Sequence, residues 1–462
     1  MRRRKLNKRE QWGSRLGFIF AASGSAVGLG NIWKFPSMAG ENGGAAFTLI
    51  YLICILLVGL PIVVSEFVIG RKTQLSPVGA FSSLAPNTSW KWLGVLGVAS
   101  AFVILSFYGV VGGWTLRYTL MSMFGGFSDL SNNPDLSNQE FTSFITSSVN
   151  PVFWQMLFMG FTIFVIIQGV QGGIEKWTKV MMPAILFILL MLMIRGLTLP
   201  NGSKSLEFLF QPKFGDLTPS SIVLALGHAF FTLSLGMGTM ITYGSYLKKD
   251  QNLLTSALWI IFLDTIIALM AGTAIFSAVF AMGANPSEGA GLIFVVLPTI
   301  FPAIQLGTLW GTLFFFLLFL AALTSAISIL EVITAYFIDQ KGWSRVKATV
   351  TFGVLVTIVG MFCSLSNGIF DDFTYLFDKS FMDLLDLLSS KYMLPIGGLF
   401  TGLFILSHWG IPNFISELSI GMNSKTISPS IVMGLFMISV VVIGLIIINE
   451  IVEIIFGFPI IG

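Results

Sequence analysis

The chain has 462 residues and a formal net charge of +3, and 55% of its residues are hydrophobic whereas only 10% are charged. Because a soluble domain carries about 25% charged residues, this composition excludes a soluble globular protein and predicts an integral membrane protein. The two cysteines, Cys54 and Cys363, lie in apolar runs and are expected to be buried thiols rather than disulfide partners or metal ligands.

Eleven apolar segments are predicted to cross the membrane as helices, because a crossing helix needs about 20 mostly apolar residues. In chain order, these spans 1 to 11 lie near residues 14–37, 42–70, 90–124, 152–171, 176–199, 220–246, 254–283, 307–339, 346–366, 380–407 and 427–452. We therefore expect one all-α polytopic transmembrane domain that covers residues 1–462.

The distribution of Lys and Arg predicts the orientation of the chain. Basic residues recur in segments that fall on one side of the predicted topology, namely Arg2, Arg3, Arg4, Lys5, Lys8, Arg9, Arg71, Lys72, Lys91, Lys176, Lys179, Lys248, Lys249, Lys341, Arg345, Lys347 and Lys425. The positive-inside rule then places the N-terminus in the cytoplasm and, after eleven spans, the C-terminus outside the inner (plasma) membrane. The first apolar run is too long for the core of a cleavable signal peptide.

Two predicted spans contain residues that weaken a helix inside a membrane. Span 1 includes AASGSAVGLGNIWKFP, from Ala21 to Pro36, and span 6 includes FFTLSLGMGTMITYGSY, from Phe230 to Tyr246. Interrupted helices at corresponding positions of two halves are typical of a transporter with an inverted repeat, whose binding site lies at the breaks. Unwound turns expose carbonyl groups for a cation and N–H groups for a carboxylate. Close helix packing through small residues is the other explanation for these glycines.

Charged residues inside the predicted spans are candidates for function, because a charge within a bilayer is costly. Glu66, Asp264 and Glu331 lie inside spans 2, 7 and 8, and Lys34 and Lys391 lie inside spans 1 and 10. A structural ion pair is the alternative for any one of them, and Lys391 has no predicted role. Spans 6 and 8 add hydroxyl groups, which are hard oxygen ligands suited to a hard cation, at Thr232, Ser234, Thr324 and Ser325.

The long motifs WGSRLGFIFAASGSAVGLGNIWKFP, ENGGAAF and FFTLSLGMGTMITYGSY resemble the neurotransmitter:sodium symporter family of LeuT fold, in its branch of bacterial hydrophobic amino-acid transporters. The resemblance covers nearly the whole chain. It implies a five-plus-five inverted repeat with helices 1 and 6 broken, the repeats covering approximately residues 12–200 and 218–408. An extra helix is expected at 427–452, and the twelfth span common in the family is absent from the prediction.

The resemblance implies two Na⁺ sites. The first would use the carbonyl of Ala26 and the side chains of Asn31, Thr232 and Asp264. The second would use the carbonyls of Gly24, Val27 and Ala321 with the hydroxyls of Thr324 and Ser325.

An amino-acid site and two gates follow from the same resemblance. The amino-acid site would be formed by Ser25, Ala26, Gly28, Gly30, Ile104, Tyr108, Phe231, Thr232, Ser234, Met237, Ser325 and Ile329, with the Tyr108 hydroxyl donating to the substrate carboxylate. Lys34 is expected to pair with Asp386 in the outer gate, with Asp383 as the rival partner. Arg9 is expected to pair with Asp339 in the inner gate, beside Trp12, Ser245 and Tyr246.

Two departures from the family pattern bear on specificity. Asp264 places a carboxylate where many members have a neutral asparagine, so we hypothesise that it replaces the charge of a bound chloride ion. Met237 stands where some members have phenylalanine, and its unbranched thioether predicts tolerance of both aromatic and branched aliphatic amino acids. Ordinary pocket lining remains the other interpretation of Met237.

The function predicted from these features is sodium-coupled symport of hydrophobic L-amino acids into the cell by alternating access. A substrate-gated ion channel and a non-transporting amino-acid sensor of the same fold remain alternatives. The chain has two histidines, His228 and His408, and its sequence contains neither an HExxH motif nor a cluster of cysteines. Metal-dependent hydrolysis is therefore poorly supported, and no enzyme activity is expected. The expected partners are the amino acid, Na⁺ and the lipid bilayer, with no nucleic acid, and the oligomeric state stays open.

Overall fold

The computed structural model describes residues 9–286, 291–371, 379–422 and 427–456. Within these ranges the regular structure is helical and contains no strand, as expected for an all-α protein. Six of the basic residues used to predict the orientation lie outside the described ranges, namely Arg2, Arg3, Arg4, Lys5, Lys8 and Lys425. The orientation in the membrane therefore stays a prediction.

Nine helices in the described part of the chain are long and apolar enough to cross a membrane. They are spans 2 to 5 (Ala45–Thr73, Lys91–Met123, Asn150–Ile167 and Val170–Leu197) and spans 7 to 11 (Leu253–Ala281, Gly307–Lys341, Arg345–Leu365, Phe381–Trp409 and Pro429–Val452). Span 1 is a pair of helices, Arg15–Ala26 and Gly30–Glu41, bent by 48° at the break between them. Counting this pair as one crossing gives ten.

Span 6 accounts for the difference from the predicted eleven. It consists of Pro219–Thr232 and Thr239–Gly244, and each helix alone is too short to cross a bilayer. Eleven crossings result only when these two helices are counted together as one interrupted crossing.

Five shorter helices lie in the connections between spans and were not predicted. They are Pro77–Leu84, Pro134–Thr146, Lys204–Phe210, Leu292–Ala303 and Ile411–Leu418. These helices are much shorter than a crossing helix, so apolar runs of about 20 residues do not indicate them.

The breaks in spans 1 and 6 have different backbone geometry. Val27 ends the first half of span 1 in an extended conformation, with φ −74° and ψ 96°. In span 6, Ser234, Gly236 and Gly238 have φ values of 53°, 77° and 77°, in the left-handed region that favours glycine. A Cβ atom at Gly238 would lie only 2.5 Å from Cγ of Pro77. Glycine is therefore required there both by backbone conformation and by space.

Span 8 is the centre of the bundle. It packs against spans 1, 3, 5 and 9. Within an 18-residue apolar stretch of span 8, 89% is buried inside the protein. Span 11 packs on span 10 at the periphery, and only 33% of the corresponding 18-residue apolar stretch of span 11 is buried. The central position of span 8 brings its polar residues next to the breaks in spans 1 and 6.

Arg71, at the end of span 2, is fully buried and links three segments of the chain. Its Nε donates to Glu417 Oε1 at 2.9 Å, and its Nη1 donates to the carbonyls of Gln251 at 2.6 Å and Ile420 at 3.3 Å. Glu417 lies in the short helix Ile411–Leu418, so this ion pair holds that helix against span 2.

We expect Arg71→Met to destabilise the protein strongly, because removing one partner of a buried ion pair leaves an uncompensated charge at a cost of about 3–5 kcal/mol. Thermal unfolding of the purified protein in detergent measures the effect. Lys72→Met is the matched control, since Lys72 is half exposed and lies 3.5 Å from the same Glu417 carboxylate. Its expected cost is about 0–1 kcal/mol, and an equal fall in unfolding temperature for both variants would contradict the interpretation.

Candidate functional site

A small cavity lies where the breaks of spans 1 and 6 face spans 3 and 8. Its lining consists of Ser25, Ala26, Gly28, Gly30, Ile104, Tyr108, Phe231, Thr232, Ser234, Met237, Ser325 and Ile329. These are the twelve residues that the resemblance assigned to the amino-acid site. The fold thus brings all of them together, and the identity of what binds there stays a prediction.

One part of this cavity is suited to a carboxylate. Tyr108 Oη lies 3.2 Å from the backbone N of Leu29, at the start of the second half of span 1. Helix starts carry N–H groups without intrahelical partners and a partial positive charge, and both attract an anion. A Cβ atom at Gly28 would lie 2.7 Å from Tyr108 Oη and would overlap Ser325 Oγ, so both hydroxyls border the space beside Gly28.

The first predicted Na⁺ site is a cluster of buried oxygen atoms. Thr232 Oγ1 lies 3.1 Å from Asn31 Oδ1 and 2.9 Å from Asp264 Oδ1. Asn31 Nδ2 donates to Asp264 Oδ1 at 2.8 Å, which fixes the amide orientation. The single Thr232 proton cannot serve two oxygens at once. The arrangement therefore brings acceptor atoms together as a cation site requires.

The second predicted Na⁺ site also has its oxygen atoms gathered between spans 1 and 8. Thr324 Oγ1 lies 2.9 Å from the carbonyl oxygen of Ala321 and 3.5 Å from that of Val27. Ser325 Oγ lies 3.4 Å from the carbonyl oxygen of Gly24. All five predicted ligands thus meet across one interface of two helices.

Two further residues contact the site and were not assigned to it from the sequence. Tyr51 of span 2 donates from Oη to Asp264 Oδ2 at 3.3 Å. Glu66, noted in the sequence only as a buried charge, accepts the N–H of Gly236 at 2.8 Å and so supports the break in span 6. For Tyr51 no signal in the sequence pointed to a role, because a tyrosine in an apolar span is unremarkable.

The predicted outer pair is present. Lys34 Nζ lies 2.8 Å from Asp386 Oδ1 and 4.2 Å from the centre of the Phe231 ring, which itself lines the cavity. The rival Asp383 accepts the hydroxyl of Ser380 at 2.8 Å instead. The predicted pairing of Lys34 with Asp386 is therefore present beside a residue that lines the cavity, and its role as a gate stays a prediction.

The predicted inner pair is also present. Arg9 pairs with Asp339, donates to Ser245 Oγ at 2.6 Å and lies 4.5 Å from the centre of the Tyr246 ring. Trp12 Nε1 donates to the carbonyl of Tyr243 at 3.0 Å, which ties the N-terminal segment to the second half of span 6. The two ion pairs thus lie on opposite sides of the break in span 1, since Arg9 precedes the first half of that span and Lys34 lies in the second half.

A second ion pair lies next to the predicted inner pair, and it was not predicted from the sequence. Glu331 is fully buried and accepts two hydrogen bonds from the Arg345 guanidinium, at 2.7 and 3.1 Å, and one from Tyr246 Oη at 2.5 Å. Arg345 also contacts Glu10 at 3.1 Å. This network joins spans 6, 8 and 9 to the N-terminal segment, and it gives the intramembrane charge of Glu331 a partner.

Lys391, which had no predicted role, forms an ion pair with Glu450 at 2.9 Å. The pair connects span 10 to span 11. For this residue the structural interpretation of an intramembrane charge is therefore sufficient.

Comparison with known proteins gives matches over almost the whole chain. A model of the sodium:neurotransmitter symporter family matches residues 9–133 and 136–457. The uncharacterized sodium-dependent transporter YhdH of Bacillus subtilis is 43% identical over 414 residues, which cover 90% of this chain and 91% of that protein. An uncharacterized sodium-dependent transporter of Haemophilus influenzae is 33% identical over 413 residues, covering 86% and 89% of the two chains.

A solved structure matches the fold closely. The crystal structure of MhsT in complex with L-phenylalanine has a TM-score of 0.88 to this chain at 45% sequence identity. The match covers 95% of this chain and 99% of the MhsT chain.

Proposed function

Because the chain belongs to the sodium:neurotransmitter symporter family and has the LeuT fold, we propose that it carries hydrophobic L-amino acids into the cell together with Na⁺ by alternating access. The observation that carries this proposal is the central cavity at the two helix breaks, with the Lys34–Asp386 pair and the Arg9–Asp339 pair on opposite sides of the break in span 1. We propose that the two pairs open in turn and so expose the cavity to each side of the membrane. Membership of this transporter family also means that the protein is not an enzyme.

The lining of the cavity supports an amino acid with a hydrophobic side chain. Tyr108 and the backbone near Leu29 provide a place for the carboxylate, whereas Ile104, Met237 and Ile329 provide apolar contacts. MhsT, which is similar to this chain, has been crystallised with L-phenylalanine. Since Met237 is unbranched and flexible, we propose that the site accepts both aromatic and branched aliphatic side chains.

Two Na⁺ ions are proposed to move with each amino acid, one at the Asn31–Thr232–Asp264 cluster and one at the cluster of Thr324 and Ser325. Each charge that crosses a potential of ~100 mV contributes about 2.3 kcal/mol. Two charges contribute roughly 4.6 kcal/mol, which corresponds to roughly three decades of accumulation before any Na⁺ gradient is counted.

We further propose that transport does not need chloride. Asp264 is fully buried and reaches the first oxygen cluster with its own carboxyl group, so the protein itself supplies an anionic side chain beside the proposed Na⁺ position. An additional anion would repel this carboxylate rather than balance a positive charge.

The proposed arrangement in the cell follows from the predicted topology. The protein would lie in the inner (plasma) membrane with its N-terminus in the cytoplasm, so that Lys34 and Asp386 face outside and Arg9 and Asp339 face inside. The two proposed inverted repeats, approximately residues 12–200 and 218–408, would each contribute one broken helix to the site.

Competition for binding tests the substrate class. We expect purified protein to bind labelled L-phenylalanine in Na⁺ but not in K⁺, and we expect unlabelled L-leucine and L-tryptophan to displace it. L-Aspartate and L-lysine are the controls, because their charged side chains would be buried among Ile104, Met237 and Ile329 without a partner. Displacement by neither leucine nor tryptophan would exclude the proposed substrate class, and binding without transport would indicate a sensor.

A further inference from the structure

A buried carboxylate at the start of span 5 contacts the start of span 1. Glu175 is only 3% exposed, and its Oε2 accepts the N–H of Gly13 at 2.6 Å. Its Oε1 accepts the hydroxyl of Ser14 at 2.9 Å. Ser14 Oγ in turn accepts the N–H of Gly17 at 3.0 Å and so caps the first half of span 1. Since a helix start carries N–H groups without intrahelical partners and a partial positive charge, the carboxylate of Glu175 stabilises this end of span 1.

The contact between Glu175 and span 1 requires residues without a side chain on the span 1 side. A Cβ atom at Gly17 would lie 2.5 Å from Cγ of Glu175 and would overlap its carboxyl group. A Cβ atom at Gly13 would lie 3.2 Å from Glu175 Oε2. The three heavy atoms nearest to the Cβ position at Gly17 all belong to Glu175. The close approach at Gly17 is therefore made to this one side chain.

The same two helices meet again about two turns further along each of them. Gly24 follows Gly17 by seven residues, and Met182 follows Glu175 by seven residues. A Cβ atom at Gly24 would lie 3.3 Å from Sδ of Met182. The carbonyl of Gly24 is assigned to the second proposed Na⁺ site. Spans 1 and 5 thus form one interface, with Glu175 at one end and that proposed Na⁺ site at the other.

The Glu175 contact is separate from the predicted inner pair. Arg9 and Asp339 join the N-terminal segment to span 8, whereas Glu175 joins the start of span 1 to span 5. A second carboxylate acts in the opposite direction, because Glu10 Oε2 accepts the N–H of Val170, the first residue of span 5, at 2.7 Å. The starts of spans 1 and 5 therefore each receive a carboxylate from the other segment and stabilise each other.

We propose that Glu175 is a positioning residue for the proposed transport: it holds the first half of span 1 against span 5 and so keeps the carbonyl of Gly24 at the second proposed Na⁺ site. This inference deepens the proposed function and rests on it. When the contact with Glu175 is lost, the first half of span 1 can move away from span 5, and Gly24 moves with it. Na⁺ and the Glu175 contact then favour the same conformation, so a higher Na⁺ concentration offsets loss of the contact.

The test measures the Na⁺ concentration that gives half-maximal binding of labelled L-phenylalanine to the purified protein. Glu175→Ala removes both hydrogen bonds to the start of span 1. Because a hydrogen bond to a charged group corresponds to a factor of roughly ten or more in an equilibrium constant, we expect the half-maximal Na⁺ concentration to rise about tenfold. Binding at saturating Na⁺ should equal that of the wild type, since the cavity is lined by other residues.

Gly17→Ala disturbs the same contact from the other helix. Its added Cβ atom would displace the carboxyl group of Glu175, so this variant alone should also raise the half-maximal Na⁺ concentration. In the double variant Gly17→Ala/Glu175→Ala the obstructing side chain is gone, and we expect a rise no larger than that of Glu175→Ala alone. Two independent structural defects would instead multiply their effects.

Lys179→Met is the matched control. Lys179 Nζ lies 2.6 Å from Glu175 Oε1, and 40% of the lysine side chain is exposed. The variant removes a neighbour of the carboxylate but leaves both contacts between Glu175 and span 1. We expect its half-maximal Na⁺ concentration to stay within roughly twofold of the wild type, because a partly exposed ion pair is worth little.

An unchanged half-maximal Na⁺ concentration in Glu175→Ala, an equal rise in Lys179→Met, or multiplied effects in the double variant would overturn the proposal. If Glu175→Ala does not fold, Glu175→Gln replaces it. That variant loses one of the two acceptor oxygens, and its expected rise is roughly threefold or more. Absence of Na⁺-dependent L-phenylalanine binding in the wild type would contradict the proposed function itself and is thereby distinguished from failure of the positioning role.

Discussion

Gly28→Ala is expected to abolish amino-acid binding. The added Cβ atom would lie 2.7 Å from Tyr108 Oη and would overlap Ser325 Oγ. Tyr108 is the proposed donor to the substrate carboxylate, and Ser325 is assigned to both the proposed amino-acid site and the second proposed Na⁺ site. Since neither hydroxyl can stay in place, we expect the dissociation constant for L-phenylalanine in Na⁺ to rise at least a hundredfold.

Gly160→Ala is the matched control for this substitution. Gly160 lies in span 4, and a Cβ atom there would have no neighbour within 4 Å. We expect this variant to bind L-phenylalanine with an affinity within twofold of the wild type. The same thermal unfolding temperature for both variants would show that Gly28→Ala acts on the site. Normal binding by a folded Gly28→Ala protein would place the substrate elsewhere.

Asp264→Asn is expected to make uptake dependent on chloride. The substitution keeps the size of the side chain and its reach to Asn31 and Thr232, but it removes the ionisable carboxyl group from the first proposed Na⁺ site. A unit charge about 4 Å away is worth about 4 kcal/mol at an effective dielectric constant near 20. We therefore expect uptake in chloride-free buffer to fall at least tenfold, and added chloride to restore part of it.

The wild type should take up substrate equally in chloride and in gluconate. Asp135→Asn serves as the control variant, because Asp135 is an exposed carboxylate in the short helix Pro134–Thr146. It should behave like the wild type in both buffers. A strict chloride requirement in the wild type would refute the proposed role of Asp264.

The spans could be predicted from the sequence because they depend on local patterns, whereas the residues assigned to the central site came from the family resemblance and their roles stay predictions. Apolar runs of about 20 residues indicate crossings directly. The glycines of span 1 and span 6, together with Asn31 and Asp264, mark the places where an apolar helix is interrupted or carries a polar group. The resemblance then assigned roles to twelve residues that the fold brings around one cavity.

Several contacts could not be predicted because they join residues that are far apart in the chain. Arg71 and Glu417 are separated by 346 positions, and nothing local to Arg71 identifies its partner. Arg345 was counted only as a basic residue near a membrane surface, although its guanidinium neutralises Glu331. The short helices between spans were missed for a different reason, since a search for apolar length cannot detect helices of 7 to 13 residues.

Uptake by proteoliposomes with an imposed Na⁺ gradient and an inside-negative potential is the decisive measurement for sodium-coupled transport. The prediction is that labelled L-phenylalanine accumulates inside above its external concentration, that replacing external Na⁺ by K⁺ abolishes the accumulation, and that collapsing the potential reduces it. Equilibration without accumulation would indicate a channel. Na⁺-dependent binding with no uptake, or uptake that does not respond to Na⁺, would contradict the proposed symport.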